Sequence, residues 1–299
     1  MNNKKILIIG ASGMLGQRCA KLFSSMENVK ALCASIDETI RFENAEYMTV
    51  DVTDEIQIQN IIMNFLPDVI INASAYTNVD KSETERDLSW KINVSGVKYM
   101  AETAKKIGAH IIHISSDYVF DGKNGPYPEN EVPNPINYYG LTKLEGENAV
   151  TNSGADYTVI RTNVLYGIIP SGRLDFVRWV VDSIRSSKPI KIVCDQINNP
   201  TFIDDLVSAI ALVIEKKKFG LYNVGGKEFL DRYEFTMRIA DVFNLDKSFV
   251  TKIVTEELNQ PAPRPLKSGL LNDKAQLELG YAPIDLDESL IRMKNELNL

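Results

Sequence analysis

The stretch Ile112-His113-Ile114-Ser115-Ser116-Asp117-Tyr118-Val119-Phe120-Asp121-Gly122 joins an apolar run to a polar turn. The run from Ile111 to Ile114 predicts a buried strand that ends in two serines and an aspartate. In an open parallel sheet, ligands bind outside the carboxyl ends of the strands. The stretch therefore predicts hydroxyl groups facing a ligand, although a strand ending in an ordinary polar turn has a similar composition.

A second motif, Tyr139-Gly140-Leu141-Thr142-Lys143, follows on a predicted helix that continues to about Val150. Residues four apart share a helix face, so Tyr139 and Lys143 are expected to lie side by side. A free tyrosine has a pKa near about 10, and a neighbouring ammonium is expected to lower it. The pair predicts proton transfer to or from a substrate oxygen.

The beginning of the chain shows the same order of strand, turn and helix. An apolar run from Lys4 to Ile9 precedes Gly10-Ala11-Ser12-Gly13-Met14-Leu15-Gly16, and a helical pattern follows. In such a turn, the first glycine permits the tight bend, the second lets backbone approach a pyrophosphate, and the third lets helix pack on strand. A glycine triplet alone is weak evidence, but this context favours dinucleotide binding.

Strands and helices then alternate, and the strands are continuously apolar. This pattern predicts an α/β fold: a Rossmann-type doubly wound parallel sheet with a smaller C-terminal substrate lobe. We expect a dinucleotide-binding domain of residues 1–165 plus about 190–215. A substrate-binding lobe of about 166–189 plus 216–299 completes the expected division.

Other strand ends and one helix supply further candidates. The second strand ends at Ser35, and Asp37 and Arg41 follow it. An acid near this strand end favours NAD, whereas an arginine favours NADP. The choice between the two cofactors is therefore open. The fourth strand ends in small residues, Ala73 to Ala75, which would let a flat ligand lie against backbone or would simply pack tightly. Asn93, within a helical stretch of roughly 83–106, is a candidate for the cofactor site because a buried amide needs partners, and the alternative is an Asn that faces solvent or is bonded locally.

Composition restricts the classes of function. The net charge of −7 argues against general nucleic-acid or anionic-membrane binding, and an anionic substrate would need a local positive site. Three scattered cysteines and two histidines predict a reducing compartment without a disulfide framework or a zinc site. No apolar run approaches membrane-spanning length, so we expect a cytoplasmic protein with no bound metal.

Taken together, these motifs resemble the dTDP-4-dehydrorhamnose reductase family within the extended short-chain dehydrogenases/reductases. The matching stretches extend from Gly10 to Pro265, and the run from Ser115 to Gly122 is quite specific. They include Asn72 to Lys81, the pair Asp195-Gln196, Asn199-Pro200-Thr201 and Ala262-Pro263-Arg264-Pro265. The same run also occurs in the regulatory beta subunit of methionine adenosyltransferase, which keeps the fold in a non-catalytic role.

The resemblance implies an oxidoreductase of dTDP-rhamnose biosynthesis that uses NADP or NAD. It implies that Ser116 polarises the substrate carbonyl, that Tyr139 donates the proton and that Lys143 holds the nicotinamide ribose. The expected cofactor-binding residues are Gly10, Ser12, Gly13, Met14, Leu15, Asp51, Val52, Ala73, Ser74, Ala75, Asn93, Tyr139 and Lys143. The expected substrate residues are Thr77, Val79, Ser116, Asp117, Tyr118 and Arg264. Arg264 is expected as a bidentate phosphate ligand, or else as a surface arginine or a tie from loop to backbone.

One position departs from the family pattern. After Arg161-Thr162 the reductases usually carry Ser-Trp, with the tryptophan against the sugar, whereas this chain has Asn163-Val164. The identity of the sugar is therefore open. The expected substrate is dTDP-4-dehydro-L-rhamnose, with a regulatory subunit or a sugar-nucleotide epimerase as alternatives. A second copy of the chain, in a homodimer, is considered as a partner.

Overall fold

The computed structural model describes residues 4–37, 42, 44–169 and 174–297, so Arg41 lies outside the described residues. Its strands are β1 Lys4–Ile9, β2 Val29–Ser35, β3 Glu46–Thr49, β4 Val69–Asn72, β5 His110–Ser116, β6 Tyr157–Thr162, β7 Leu165–Tyr166, β8 Ile190–Val193, β9 Ile197–Asn198, β10 Thr201–Phe202, β11 Gly220–Asn223, β12 Leu230–Asp231 and β13 Val250–Ile253. Its α-helices are α1 Met14–Ser24, α2 Glu55–Phe65, α3 Val79–Ser82, α4 Arg86–Trp90, α5 Gly96–Ile107, α6 Tyr138–Thr151, α7 Phe176–Arg185, α8 Ile203–Lys216, α9 Arg232–Phe243, α10 Asp273–Leu279 and α11 Leu286–Glu296. A π-helical turn, Lys91–Ser95, joins α4 to α5, and 3-10 turns occur at Asp117–Val119, Lys247–Phe249 and Thr255–Leu258.

The central sheet confirms the predicted Rossmann-type α/β fold. Seven parallel strands lie in the order β11-β6-β5-β4-β1-β2-β3. The chain starts at β1, builds outward through β2 and β3, and then returns to β4 on the other side. Ligands bind at such a reversal of strand order, so the carboxyl ends of β1 and β4 are the expected position of the cofactor.

Both faces of the sheet are covered, which explains why its strands read as continuous apolar runs. Along β1, Ile6 and Ile8 face a core that includes residues of α1 and α8, whereas Leu7 and Ile9 face a core that includes residues of α2 and α5. All four side chains are fully buried. Each contributes about 1.5–3 kcal/mol by removal from water, so the two layers hold the strand ends of the site in place.

The turn between β1 and α1 needs glycine at two positions. Gly10 has a φ of +82°, and a Cβ atom there would lie 2.5 Å from the backbone nitrogen of Ser74. A Cβ at Gly16 would overlap the carbonyl oxygen of Gly10. These two glycines bring the turn, the end of β4 and the first turn of α1 together, which leaves Gly13 exposed at the tip.

The C-terminal half adds small sheets and helices beside the main sheet. Strand β8 pairs with β13, and β9 pairs with β12, outside the seven-stranded sheet. Strand β11, in contrast, extends the main sheet beside β6. The predicted division placed β8 in the cofactor domain and β11 in the lobe, whereas β8 pairs outside the main sheet and β11 pairs within it. Chain order could not reveal this exchange, and we propose a cofactor domain that includes β11 and a lobe that includes β8.

Within the described part of the chain, no helix is long and apolar enough to cross a membrane. The same residues contain no cluster of three or more histidine, cysteine or acidic side chains that could hold a metal ion.

Candidate active site

A cavity of about 230 Å³ lies at the strand reversal, where the cofactor was expected. Eight of the predicted cofactor residues line it, from the turn after β1, the segment after β3 and the end of β4. They are Gly10, Ser12, Gly13, Asp51, Val52, Ala73, Ser74 and Ala75. The structure therefore brings together residues that are up to 65 positions apart in the chain.

Helix α1 begins beside this cavity with Gly13 as its N-cap, and no side chain caps it. The first N–H groups of a helix have no partner within the helix, so the amides at Met14 and Leu15 are suited to phosphate. The side chain of Leu15 is buried in the core, and that of Met14 packs against it. Leu15 can thus meet the cofactor only through its backbone, whereas the side chain of Met14 is partly exposed; the contact of both residues with the cofactor stays a prediction.

Sequence reasoning missed four residues of the cavity lining: Ser35, Ile36, Val50 and Ile92. Ser35 ends β2, where an acid would bind the ribose of NAD, and its hydroxyl instead bonds the Ser12 hydroxyl at 2.5 Å. Ile36 is 68% exposed although it is a large aliphatic residue. The sequence shows an isoleucine directly after a strand end, but only the structure shows that it is exposed and lines the cavity.

Asn93 has a role different from the predicted cofactor contact. It is fully buried in the π-helical turn, and its amide oxygen accepts a hydrogen bond from the Tyr76 nitrogen at 2.8 Å. Its amide nitrogen donates to the Tyr76 oxygen and to the Thr142 hydroxyl. Both amide N–H groups of Asn93 are thus bonded to protein oxygens. Asn93 therefore joins the loop after β4 to α6 and helps to hold these two elements of the site in place.

Ser116, Tyr139 and Lys143 converge at the carboxyl end of β5, as the motif spacing predicts. Helix α6 packs against β5, and its N-cap Asn137 accepts a hydrogen bond from the Gly140 nitrogen at 2.7 Å. Lys143 is 2% exposed, and its Nζ donates to the carbonyl oxygen of Ile114 at 2.6 Å. An ammonium carries three donors, so two remain for the hydroxyl groups of a ribose. These residues therefore fit a nicotinamide nucleotide.

The expected lowering of the Tyr139 pKa is not what the free protein shows. Burial raises the pKa of Tyr139, the Ser116 hydroxyl moderates the rise, and the charges of Asp117 and Tyr118 add to it. Burial also lowers the pKa of Lys143 to about 8, partly opposed by Glu147. The expectation from the sequence included only the charge of the Lys143 ammonium. It omitted desolvation, which is the largest contribution to the pKa shift of both Tyr139 and Lys143. Tyr139 is protonated at neutral pH, and the alkoxide left by hydride transfer to a ketone is a stronger base than a phenolate, so it can take the Tyr139 proton even though the raised pKa makes Tyr139 a weaker acid.

Asp117 and Tyr118 extend the site away from Ser116. The Asp117 carboxylate accepts hydrogen bonds from the hydroxyls of Ser268, at 2.5 Å, and Ser116, at 3.0 Å. Burial raises the pKa of Asp117 to about 6, although both hydrogen bonds oppose the rise. The Tyr118 ring meets the Tyr139 ring edge to face, with centroids 5.5 Å apart. Their contact with a sugar stays a prediction.

Arg264 is paired within the protein. Its two terminal nitrogens bond the two oxygens of Asp80, at 2.9 and 2.8 Å. The side chain is 9% exposed. A phosphate would have to compete for these nitrogens. The loop-to-backbone tie expected as an alternative is also present, because Nη1 of Arg264 donates to the carbonyl oxygen of Ala262 at 2.6 Å. The pair fixes α3, which begins at Val79, and Thr77 lies exposed just before it.

The residues that replace the usual Ser-Trp pair are structural. The Asn163 amide donates to Asn199 at 2.8 Å and accepts from the Thr201 hydroxyl. Val164 has a φ of +38°, which is unusual for a β-branched residue. Such backbone strain concentrates at functional sites, and no aromatic ring stands at this position.

A buried network lies beneath the catalytic face of α6. Arg161 on β6 bonds both carboxylate oxygens of Glu147, at 2.9 and 2.7 Å, and the Ser115 hydroxyl donates to the same carboxylate at 2.5 Å. Arg161 also lies over the Phe120 ring, 5.0 Å from its centroid. The network joins β5, β6 and α6 immediately behind Ser116 and Lys143.

A protein-family model described as the RmlD substrate binding domain matches residues 4–299. A dTDP-4-dehydrorhamnose reductase of Aggregatibacter actinomycetemcomitans is 32% identical over 96% of this chain and 97% of its own length. The methionine adenosyltransferase 2 subunit beta of Bos taurus is 34% identical over 92% of this chain and 82% of its own length. The crystal structure of the dTDP-4-dehydrorhamnose reductase of Bacillus anthracis in complex with NADP superimposes with a TM-score of 0.84, at 30% identity over 99% of this chain and 100% of that one.

Proposed function

Because this chain belongs to the family described as the RmlD substrate binding domain, we propose that it reduces a 4-keto-6-deoxy sugar nucleotide, namely dTDP-4-dehydro-L-rhamnose, to dTDP-L-rhamnose. It is an NAD(P)-dependent oxidoreductase of Rossmann fold, like its reductase relatives. The observation that carries the proposal is the convergence of Ser116, Tyr139 and Lys143 at the end of β5. The next strand, β4, ends in the residues that line the dinucleotide cavity.

The chain's own residues account for the proton chemistry. A reduced nicotinamide held by these residues would supply a hydride to the keto carbon, and negative charge would then develop on the substrate oxygen. The Ser116 hydroxyl would exchange its hydrogen bond to Asp117 for one to that oxygen, and Tyr139, which is protonated, would transfer the proton. The Lys143 ammonium, held by the Ile114 carbonyl, keeps two donors that would bind the ribose, and its charge would stabilise the phenolate that Tyr139 becomes.

The direct test is turnover. Purified protein with NADPH or NADH and dTDP-4-dehydro-L-rhamnose should consume reduced cofactor, followed by absorbance. Tyr139→Phe removes only the hydroxyl and should lower kcat about 10²–10⁴-fold while cofactor binding survives. The matched control is Tyr138→Phe on the same helix, whose ring stacks under Arg86 and should stay near wild-type rate. Equal rates for Tyr139→Phe and wild type would refute the mechanism.

A non-catalytic regulatory subunit is the second candidate function. It is supported by the similarity to the methionine adenosyltransferase subunit and by the absence of an aromatic residue at position 164. It predicts cofactor binding without consumption of reduced cofactor, together with co-purification of methionine adenosyltransferase in a pull-down. An epimerase, in contrast, would convert its sugar nucleotide without added reduced cofactor, so the same assay separates all three.

A further inference from the structure

Arg232 is the first residue of α9, and its side chain takes no part in capping that helix. The cap is formed by Asp231, which accepts from the Glu234 nitrogen at 2.7 Å, while Glu234 accepts from the Asp231 nitrogen at 3.0 Å. The start of α9 is therefore fixed by a reciprocal capping box. Arg232 is thus held on a rigid helix end while its guanidinium stays available for another role.

An aromatic surface orients this guanidinium. Its central carbon lies 5.1 Å from the centroid of the Phe176 ring at the start of α7. Phe176 is stacked in turn on Phe235 of α9, with ring centroids 5.6 Å apart. A guanidinium over an aromatic face is attracted to the ring, while its N–H edge remains free to bind an anion. The stacking therefore pre-organises Arg232.

Arg232 also lacks a salt bridge, unlike the other enclosed arginines near the site. Arg161 pairs with Glu147 and Arg264 with Asp80. Over residues 4–37, 42, 44–169 and 174–297, no carboxylate oxygen comes within 4.0 Å of a nitrogen of Arg232. Burial lowers the pKa of Arg232, which is the mark of a charge removed from water without full compensation. An incoming anion would relieve that cost.

The charge of Arg232 is directed toward the catalytic residues. It acts on both Asp117 and Tyr118, lowering the pKa of each against the opposing effect of burial. Tyr118 in turn contacts Tyr139 through its ring. Arg232, on α9, is therefore near enough for its charge to act on the residues that follow β5, whereas the cofactor cavity is lined by residues that follow β1, β3 and β4.

We propose that Arg232 binds the diphosphate of the sugar nucleotide, and this assignment rests on the proposed function in taking a sugar nucleotide as substrate. The protein carries a net charge of −7, so it needs a local cation to hold a diphosphate. Arg264, the cation that the sequence suggested, is already neutralised by Asp80. A guanidinium suits phosphate oxygens because its N–H groups form a planar fork.

The test measures binding of dTDP, UDP and thymidine to the full chain saturated with NADH, by calorimetry. Arg232→Met keeps an unbranched side chain over Phe176 but removes the charge. It should weaken dTDP and UDP binding about 10- to 100-fold and leave thymidine and NADH affinity unchanged. Arg232→Lys should recover part of the loss. The control is Arg238→Met on the same helix, whose guanidinium pairs with Asp287 and Glu228, and its dTDP affinity should match wild type.

Unchanged dTDP and UDP affinities in a folded Arg232→Met protein would overturn the inference, as would wild-type protein that binds neither diphosphate. An equal loss of thymidine affinity would do so too, because it would point to general disruption of the lobe. Failure of this inference and failure of the proposed function give different results. Diphosphate binding that depends on Arg232, without reduction of any keto sugar, supports the site and rejects the reductase. If Arg232→Met reduces the keto sugar with the same KM as wild type, the reductase is supported and the diphosphate site at Arg232 is rejected.

Discussion

Lys143 and Ile114 are joined by a hydrogen bond of 2.6 Å from the ammonium to the backbone carbonyl, two residues before Ser116 on β5. The bond ties the catalytic face of α6 to the strand that carries the hydroxyl partner. It also fixes the direction of an ammonium that is 2% exposed. The position of Lys143 is thus set by the fold before any cofactor binds.

Lys143→Met should impair both cofactor binding and turnover. The change removes the two donors left for the ribose and the charge that stabilises the Tyr139 phenolate. We expect kcat to fall by about 10²–10⁴-fold, together with weaker binding of NADH or NADPH by fluorescence titration. A variant that lost turnover but retained wild-type cofactor affinity would remove the ribose contact from the assignment.

The pH dependence of cofactor use should show a falling limb near pH 8. Lys143, with its pKa lowered to about 8, loses its proton as pH rises through that value. Tyr139 stays protonated across the same range because its pKa is raised. Since kcat/KM reports groups of the free enzyme, kcat/KM for NADH should be level below pH 8 and decline about tenfold per pH unit above it. A profile that stays level to pH 10 would contradict this assignment.

Gly13→Leu should abolish cofactor binding without unfolding the protein. A Cβ at Gly13 would approach only the Gly10 carbonyl, at 3.3 Å, so the fold can accept it with a slight shift. The leucine side chain would then occupy the place of the pyrophosphate. Fluorescence titration with NADH measures the loss, and circular dichroism confirms the fold. Gly16→Leu is the contrasting variant, because its Cβ overlaps the Gly10 carbonyl and should destabilise the protein itself. Unchanged NADH affinity in folded Gly13→Leu protein would rule out the placement.

Local patterns predicted the parts of the fold that local physics determines. The order of elements, the glycine turn and the shared face of Tyr139 and Lys143 follow from periodicities and steric limits within a few residues. The exchange of β8 and β11 between sheet and lobe depends on which edge a strand meets, and chain order does not contain that information.

Some residues of the candidate site could likewise be predicted from local patterns, and others could not. Residues at strand ends were identified because the carboxyl edge of a parallel sheet is where ligands bind. The pairing of Arg264 with Asp80 and the open guanidinium of Arg232 were not foreseen, since each depends on contacts across the three-dimensional fold. The raised pKa of Tyr139 was missed because desolvation requires knowledge of burial.

The buried pair of Arg161 and Glu147 should be the most costly of the ion pairs to break on one side. Their side chains are 3% and 7% exposed, and Arg161→Met would leave the Glu147 carboxylate without its cation. Removing one partner of a buried pair costs about 3–5 kcal/mol because the remaining charge is uncompensated. Urea unfolding should show a loss of that size in the free energy of unfolding.

The double variant Arg161→Met/Glu147→Leu tests the physical cause of that loss. It removes both charges and leaves two neutral groups without a partner, the Ser115 hydroxyl and the Glu129 carbonyl oxygen. It should therefore be more stable than Arg161→Met alone, which leaves a charged carboxylate unpaired. Lys98→Met is the surface control, since its partner Glu102 on α5 is half exposed, and its stability should change by less than about 1 kcal/mol. If the double variant were no more stable than Arg161→Met, lost packing over Phe120 would explain the effect better than an unpaired charge.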